Sequence, residues 1–267
     1  MTAISSTVNV MHHAFRAGMA DYRAIFTWKS WLAGWMVRVI AQVAFFAFIG
    51  ERLGADEKVY YLLIGNAILV AAVVGVFSLN MTTAERWAGT LPLLVASPSS
   101  PIVVFSARGS YLAVDGALSA LAALFIAGPL FGMDLPWPRV LAVIPLTALV
   151  ALASYCFGTF LAGIVFRFRS INSLVVLTTH VSLMAACGVN VPLSYFPEAL
   201  AWAAHALPVT NGLLAVRGVF DGADAATILG DAALEAAVAA GWMTVALLSF
   251  NQLASRGRRD GSLDYGG

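Results

Sequence analysis

The sequence has too few charged residues for a water-soluble protein of its size. Only 11% of the 267 residues are Asp, Glu, Lys or Arg, whereas soluble domains carry roughly 25%. Hydrophobic residues make up 60% of the chain, and the mean hydropathy is +0.85. The net charge of +1 argues against a nucleic-acid-binding surface. These values exclude a soluble globular domain and predict an integral membrane protein.

Cysteines and catalytic motifs are also scarce. The two cysteines, Cys156 and Cys187, lie in apolar stretches without CxxC or Cys/His spacing, so neither a metal site nor a disulfide framework is predicted. HExxH, GxSxG and paired aspartates are absent, which argues against an intramembrane enzyme. The sequence also has no GxxxxGK[ST] loop to cradle ATP phosphates. We therefore expect no catalytic residue, metal or bound cofactor in this chain.

Long uncharged runs indicate where the chain crosses the membrane. A bilayer core needs about 20 apolar residues in a helix, which satisfies its own backbone polar groups. One such run, residues 30–50, is interrupted only by Arg38. The others carry no charge and comprise residues 59–84, 116–133, 140–166, 170–197 and 236–255. The sequence therefore predicts an all-α integral membrane protein with about six transmembrane helices.

Lys and Arg residues lie mainly on one side of these runs. That side carries ten of them: Arg16, Arg23, Lys29, Arg86, Arg108, Arg167, Arg169, Arg256, Arg258 and Arg259. Because positive loops stay inside, we expect both termini to be cytoplasmic and residues 256–267 to form a cytoplasmic tail. The first thirty residues contain no apolar run for a signal-peptide core, so the N-terminus is expected to be retained.

Two segments differ from simple spans. Residues 8–28 place apolar side chains at helical spacing beside a stripe with His12, Arg16 and Arg23, which predicts an amphipathic helix in the cytoplasmic interface. Residues 188–220 mix apolar residues with prolines and glycines and are too broken for one continuous helix. We expect a re-entrant pair of short helices there, on the extracytoplasmic side, with protein covering their exposed backbone.

The loop between the second and third runs contains a short apolar helix candidate. Residues 85–101 read ERWAGTLPLLVASPSSP, and the prolines near the end of this stretch would close the helix. Its apolar side chains are Trp87, Leu91, Leu94 and Val95. Two interpretations are open on periodicity alone: the helix docks a partner, or it rests on the membrane surface.

This loop resembles a segment of type-2 ABC exporter permeases, E-R-x-x-G-T-L-E-x-L-x-x-S-P. The matching residues are Glu85, Arg86, Gly89, Thr90, Leu91, Leu94, Ser97 and Pro98, and Pro92 stands where the family usually has Glu. A second resemblance is to the family's G-x-x-x-P, F/L-P and L-P-x-T signature after its fifth span. It is carried by Gly188, Pro192, Phe196, Pro197, Leu207, Pro208 and Thr210. The order of elements agrees too, and the chain looks closest to the branch of daunorubicin-type drug permeases and nodulation-factor permeases.

The resemblance implies that residues 1–267 form a single type-2 ABC exporter transmembrane domain. Residues 84–97 would be the cytoplasmic coupling helix that contacts the ATPase. The contacts are expected from Glu85, Arg86, Trp87, Gly89, Thr90, Leu91 and Leu94. The implied re-entrant gate, in residues 188–220, contains Pro192, Phe196, Pro197 and Pro208.

The resemblance also implies partners and a cargo. Two separate ATPase subunits would bind ATP and Mg²⁺ and would carry two permease chains, identical or homologous, in the cytoplasmic membrane of a bacterium. The apolar spans favour export of a hydrophobic or amphipathic compound such as a drug or antibiotic. Export of a glycolipid, polysaccharide or lipid by the same mechanism is the alternative.

Two charged residues lie inside the predicted spans. We expect Arg38 and Asp115 to pair across the first and third spans, because a charge at mid-span costs about 2.5–3.5 kcal/mol on insertion scales. Alternatively, Arg38 extends to the interface and Asp115 pairs with Arg108. An ion-coupled secondary transporter would show internal repeats and more ionisable residues at the midplane, so the exporter is preferred.

Overall fold

In the computed structural model, the described residues (3–81, 83, 89, 101–167 and 171–260) form helices and turns, without a strand in these ranges. The helices are α1 (Ala3–Ile25), α2 (Trp28–Arg52), α3 (Asp56–Asn80), α4 (Pro101–Gly109), α5 (Tyr111–Leu130), α6 (Val143–Arg167), α7 (Asn172–Ala186), α8 (Glu198–Ala204), α9 (Thr210–Asp221) and α10 (Ala225–Asp260).

Five helical segments in the described ranges are long and apolar enough to cross a membrane. They are Trp28–Arg52, Asp56–Asn80, Ile102–Leu130, Arg139–Phe166 and Ala225–Phe250. The predicted fifth span, residues 170–197, contains the shorter helix α7, which ends at Ala186 after 15 residues. At 1.5 Å per residue α7 is about 22 Å long, less than the roughly 30 Å of a bilayer core. The prediction of several apolar spanning helices is confirmed.

Helix α3 forms the centre of the bundle. Within its apolar stretch 89% is buried inside the protein, whereas the corresponding share is 22% for α2 and for α10. Helices α2, α5 and α6 pack around α3, and α10 packs against α6 and α9. Residues 59–80 of α3 carry no charge, and a helix that is apolar on all sides is buried inside a protein.

A glycine allows α3 and α6 to approach closely. A Cβ atom on Gly75 would lie 2.7 Å from the carbonyl oxygen of Ala151 and 2.9 Å from the backbone nitrogen of Tyr155. Near the end of α3, the hydroxyl of Ser78 donates to the Tyr155 carbonyl at 3.1 Å. Small residues and hydroxyl bonds of this kind hold membrane helices together, because lipid supplies no hydrophobic force between them.

Helix α1 buries its small residues and only part of the apolar stripe that the sequence shows, since Met19 and Tyr22 pack against the core. It covers Ala3–Ile25 rather than residues 8–28. Ala14 and Gly18 are buried where α1 packs along α4, while Met11 and Phe15 are 45% and 37% exposed. The small side chains face the protein because they let the two helix backbones approach.

The last span begins earlier than residues 236–255 predict. Helix α10 starts at Ala225, and its apolar stretch runs to Phe250. It therefore contains Glu235, which is fully buried. The helix also continues to Asp260, so the first part of the predicted tail is helical. A charged residue fits within this span because its carboxylate has backbone partners from another helix.

Candidate functional site

The predicted coupling helix, residues 84–97, lies outside the described residues except for Gly89. The same holds for Glu85, Arg86, Trp87, Thr90, Leu91 and Leu94, whose roles stay predictions. Gly89 is exposed in a turn with a φ angle of +69°, a left-handed backbone conformation that glycine adopts without strain. The described helices α3 and α4 flank this segment, and they define the end of the bundle to which it attaches.

At this end of the bundle α1 lies directly on α4. A Cβ atom on Gly18 would overlap the backbone carbonyl of Arg108. Next to this contact, Nε of Arg108 donates to Oδ2 of Asp21 at 3.2 Å, within an ion pair. Asp21 is about half exposed, so solvent screens the ion pair and the close backbone contact is the stronger constraint.

Asp115 of α5 connects three helices. Its Oδ1 accepts the hydroxyl of Tyr22 from α1 at 2.8 Å and the indole N–H of Trp31 from α2 at 2.9 Å. Hydrogen bonds to an ionised acceptor are stronger than those between neutral groups. Burial, together with the hydrogen bond to Asp115, raises the pKa of Tyr22 well above its usual value. Tyr22 therefore stays protonated and keeps donating at any physiological pH.

Helices α2 and α5 run parallel and in register. Trp31 donates to Asp115, and Trp35, four residues later, donates its indole N–H at 2.9 Å to the hydroxyl of Ser119, again four residues later. The stretch Trp31–Met36 is a π-helix, a wider turn that is common at functional sites. Two indole groups on one face of α2 thus fix its position against α5.

The predicted pairing of Arg38 with Asp115 is not present in the structure. Within the described side chains, no ion pair joins these two residues. The register explains the result: Arg38 is seven residues beyond Trp31, which corresponds to about 10 Å along the axis from the level of Asp115. The Arg38 guanidinium instead lies over the ring of Trp35, with Cζ 4.4 Å from the ring centroid. The ion pair that the structure shows for Arg108 is with Asp21 of α1, and the alternative pairing of Asp115 with Arg108 stays a prediction.

The second predicted region, residues 188–220, contains two short helices, α8 and α9. Its prolines fall where the helices break. Pro192 precedes a 3₁₀ turn and Pro197 immediately precedes α8, with the half-buried Phe196 in extended backbone between them. Pro208 precedes Val209, whose φ angle of +92° is unusual for a β-branched residue. The backbone therefore turns sharply just before α9 begins.

The carboxylate of Glu235 binds the backbone of this turn. Its Oε1 accepts the backbone N–H of Val209 at 2.9 Å, and its Oε2 accepts that of Gly212 at 3.0 Å. The first N–H groups of a helix have no partner within the helix. Val209, the residue before the first turn of α9, has no polar side chain that could cap the helix. Glu235 from α10 caps it instead.

Arg217, two turns into α9, is buried among backbone carbonyls. It donates to the carbonyl oxygens of Gly188 at 2.9 Å, Val189 at 3.1 Å and Tyr61 at 3.1 Å. Its Cζ also lies 3.5 Å from the ring centroid of Tyr61, whose hydroxyl donates to Gly188 at 2.6 Å. The Gly188 and Val189 carbonyls follow the C-terminus of α7, where the helix dipole favours a positive charge, whereas Tyr61 belongs to α3.

The comparison with known families decides the identity of the chain. The family model described as ABC-2 type transporter matches residues 19–220. The chain belongs to the ABC-2 type transporter family. The match extends from α1 to α9 and so includes the Asp115 junction and the short-helix region. Searches of curated proteins and of solved structures found no match.

Membership fixes the broad role of the ABC-2 permease. The chain is a multi-pass membrane protein and the transmembrane component of an ABC transporter, and the family implies a partner ABC ATPase. The helical fold with apolar spans is consistent with this assignment.

Sequence reasoning missed two residues of the ABC-2 permease. Arg217 lies within residues 188–220, which the sequence predicts to be a re-entrant pair on the extracytoplasmic side, and Glu235 immediately precedes the predicted last span, residues 236–255. Each lies in a mostly apolar helix with a further acid one turn away, Asp221 in α9 and Asp231 in α10. A charge within such a helix is the signal that could have identified them as buried. Their partners are backbone atoms of distant segments, which a search for opposite charges does not find.

Proposed function

We propose that this permease is the transmembrane subunit of an ATP-driven exporter. It moves a hydrophobic or amphipathic compound, such as a drug or antibiotic, out across the cytoplasmic membrane of a bacterium. The observation that carries the proposal is the position of the E-R-x-x-G-T-L segment. It connects α3 to α4 at the end of the bundle where α1, α2 and α5 are joined through Asp115. The resemblance of the chain to the drug-permease branch, in its length and motifs, supports a drug or antibiotic as the first candidate cargo.

The coupling step follows from this connection. Residues 84–97 dock on the ATPase as the coupling helix, with Glu85 and Arg86 at its start. Helix α4 follows the segment and continues into α5 as the apolar stretch Ile102–Leu130. Because Asp115 links α5 to α1 and α2, a displacement of the docked segment moves these helices together. Such a displacement drives transport only if the two arrangements bind the cargo differently.

The cargo class is supported by where the charges lie. Among the described side chains, the buried charged groups are Arg217 and Glu235, and both are bound to backbone atoms. They are thus not available to neutralise a charged cargo. Large apolar side chains such as Phe45 and Phe48 are exposed on α2. This distribution favours an apolar or amphipathic compound over a charged polysaccharide.

The assembly proposed here has two permease chains, identical or homologous, on two ATPase subunits that bind ATP and Mg²⁺. Both termini of the permease face the cytoplasm, as the distribution of Lys and Arg supports. Pro192, Phe196, Pro197 and Pro208 belong to the extracytoplasmic gate, formed by the re-entrant residues 188–220.

The test is co-purification of the permease with its neighbouring ATPase, followed by reconstitution and assay of ATP-dependent uptake of rhodamine 6G into inside-out vesicles. We expect Glu85→Ala and Arg86→Ala to lower ATPase association or transport by about tenfold, an effect of one charged hydrogen bond. Arg52→Ala is the matched control, because Arg52 ends α2 at the opposite end of the bundle.

Four results would count against the proposal. If no ATPase associates with the permease, residues 84–97 are not a coupling helix. If Arg52→Ala and Arg86→Ala have equal effects, the ATPase does not contact the permease at residues 84–97. Uptake driven by an ion gradient without ATP identifies a secondary transporter. If ATP moves a fluorescent phospholipid but not rhodamine 6G, lipid export replaces drug export.

A further inference from the structure

Helix α9 is held at its start and in its second half by the two charged side chains that are buried in the described part of the chain. Glu235 is fully buried and Arg217 is 9% exposed. We propose that Glu235 and Arg217 are positioning residues that brace α9, so that the gate, residues 188–220, moves as one body with the last span. The inference rests on the proposed export function, for which it names the residues that keep the gate coupled.

Glu235 fixes the start of α9 to α10. A carboxylate inside a membrane protein is costly unless it is hydrogen-bonded. Here both oxygens accept backbone N–H groups, from Val209 and Gly212, and the positive end of the α9 dipole faces the negative charge. Val209 has a φ angle of +92°, a strained conformation that persists only where its surroundings hold it. The carboxylate therefore determines the backbone turn that starts the helix.

Arg217 fixes the same helix to different partners. Its guanidinium binds the Gly188 and Val189 carbonyls after α7 and the Tyr61 carbonyl of α3. No carboxylate accepts from it among the described residues, and its buried Nε has no hydrogen-bond partner there. An apolar replacement would leave these buried carbonyls without a donor, so Arg217 contributes to stability. The same side chain also joins α9 to two separate segments, which is the positioning role proposed here.

The two attachments connect α10, α9 and the outer end of α7 in series. Between them lies Cys187, which is 1% exposed and has its Sγ 3.6 Å from the carbonyl oxygen of Pro208. This thiol touches the turn that Glu235 holds. If the turn loosens, the Cys187 thiol becomes accessible to solvent. The accessibility of this native cysteine therefore measures whether Glu235 still holds the turn.

The experiment uses the full complex with its ATPase in nanodiscs, in a Cys156→Ala background that leaves Cys187 as the single thiol of the permease. Glu235→Gln keeps the shape but replaces one acceptor oxygen with an N–H₂ group. We expect N-ethylmaleimide to label Cys187 about tenfold faster, as for the loss of one hydrogen bond to a charged group. Asp231→Asn, one turn earlier on α10, is the matched control and should label like the wild type.

A second readout separates positioning from simple stability. The amount of rhodamine 6G moved per ATP hydrolysed should fall about tenfold in Glu235→Gln, by the same reasoning. ATPase activity and the assembled fraction should remain. Loss of stability would lower the assembled fraction and leave the ratio of transport to hydrolysis in the surviving complexes unchanged.

The outcomes are distinct. If Cys187 in the Glu235→Gln variant is labelled at the wild-type rate, the proposed bracing of α9 is wrong. It is also wrong if labelling is faster but the ratio of transport to ATP hydrolysis is unchanged. If Glu235→Gln does not assemble, Arg217→Met is measured in the same way, and the same results decide. If the wild-type complex hydrolyses ATP without moving rhodamine 6G, the proposed cargo class fails, and the labelling of Cys187 alone decides the brace.

Discussion

Tyr22 donates its hydroxyl hydrogen to the carboxylate of Asp115 at 2.8 Å, across 93 residues of sequence. This bond joins α1, which is not one of the apolar spans, to the interior helix α5. The ABC-2 permease therefore has its N-terminal helix fixed to the span that follows the proposed coupling segment. A movement of α5 therefore acts on α1 for as long as this hydrogen bond holds.

The role of Asp115 as an acceptor can be tested by two substitutions. Asp115→Leu leaves the Tyr22 hydroxyl and the Trp31 indole without an acceptor, and we expect a loss of about 1–3 kcal/mol in stability. Asp115→Asn retains the oxygen that both donors share, so its loss should be smaller. Thermal unfolding in detergent measures both. Equal stability of the Leu and Asn variants would contradict the proposed role of the carboxylate.

A double-mutant cycle tests the absence of the Arg38–Asp115 pair. The combination of Arg38→Met with Asp115→Leu should give a coupling energy below about 0.5 kcal/mol, as for independent sites. The cycle of Tyr22→Phe with Asp115→Leu should give about 1 kcal/mol, because these residues share a hydrogen bond. A large coupling in the first cycle would restore the ion pair that the charges alone suggested.

The close contact of α1 with α4 predicts an effect at Gly18. Gly18→Ala places a Cβ atom against the Arg108 carbonyl, so we expect overpacking to cost about 1–3 kcal/mol and to loosen α1. Faster tryptic cleavage after Arg23, at the end of α1, is the measurement. Gly241→Ala on α10 is the control, since a Cβ atom there has no neighbour within 4 Å. Cleavage at the same rate in both variants would show that α1 does not depend on this contact.

Acid should weaken the start of α10 through Asp224. Its carboxylate accepts the Thr227 hydroxyl at 2.6 Å and the backbone N–H groups of Ala226 and Thr227. The side-chain hydrogen bond from Thr227, with the backbone bonds, lowers the pKa of Asp224. The folded state thus binds the proton less well than the unfolded state. The stabilisation is complete above the unfolded pKa, near 3.9, and is lost as the pH falls through the lower folded value.

The measurement for Asp224 is the difference in melting temperature between wild type and Asp224→Ala from pH 7 down to pH 3. We expect wild type to melt higher at pH 7 and the difference to shrink below about pH 4. Thr227→Val, which removes only the side-chain bond, should give a smaller dependence on pH. A difference that stays constant down to pH 3 would exclude this titration.

The sequence predicts the apolar helices well and the polar contacts poorly, and particular residues show why. Uncharged residues 59–80 lie in α3 because a run without charges can be buried on all sides. Glu235 falls outside the predicted last span because that span is defined as an uncharged run, and the backbone N–H groups that let Glu235 lie within the helix leave no mark in the charge pattern. Arg38 and Asp115 were paired by sign, whereas the register of α2 on α5 depends on the indoles of Trp31 and Trp35.

The candidate site, too, could be predicted from the sequence only in part. The E-R-x-x-G-T-L segment follows from resemblance, and only Gly89 of it is described. The positions of Pro192 and Pro197 at helix boundaries follow from proline chemistry, since proline lacks the N–H that a helix interior requires. The attachment of Arg217 to carbonyls of α3 and of the turn after α7 could not be predicted, because backbone acceptors carry no sequence signature.

The order of these partners along the chain has a consequence for biosynthesis. Tyr22 and Trp31 are synthesised before Asp115, Tyr61 and Gly188 before Arg217, and Val209 before Glu235. Asp115, Arg217 and Glu235 thus leave the ribosome after the groups that bind them. When α5, α9 and α10 enter the bilayer, these three side chains meet partners that are already there, so they do not wait unpaired in lipid for a later segment.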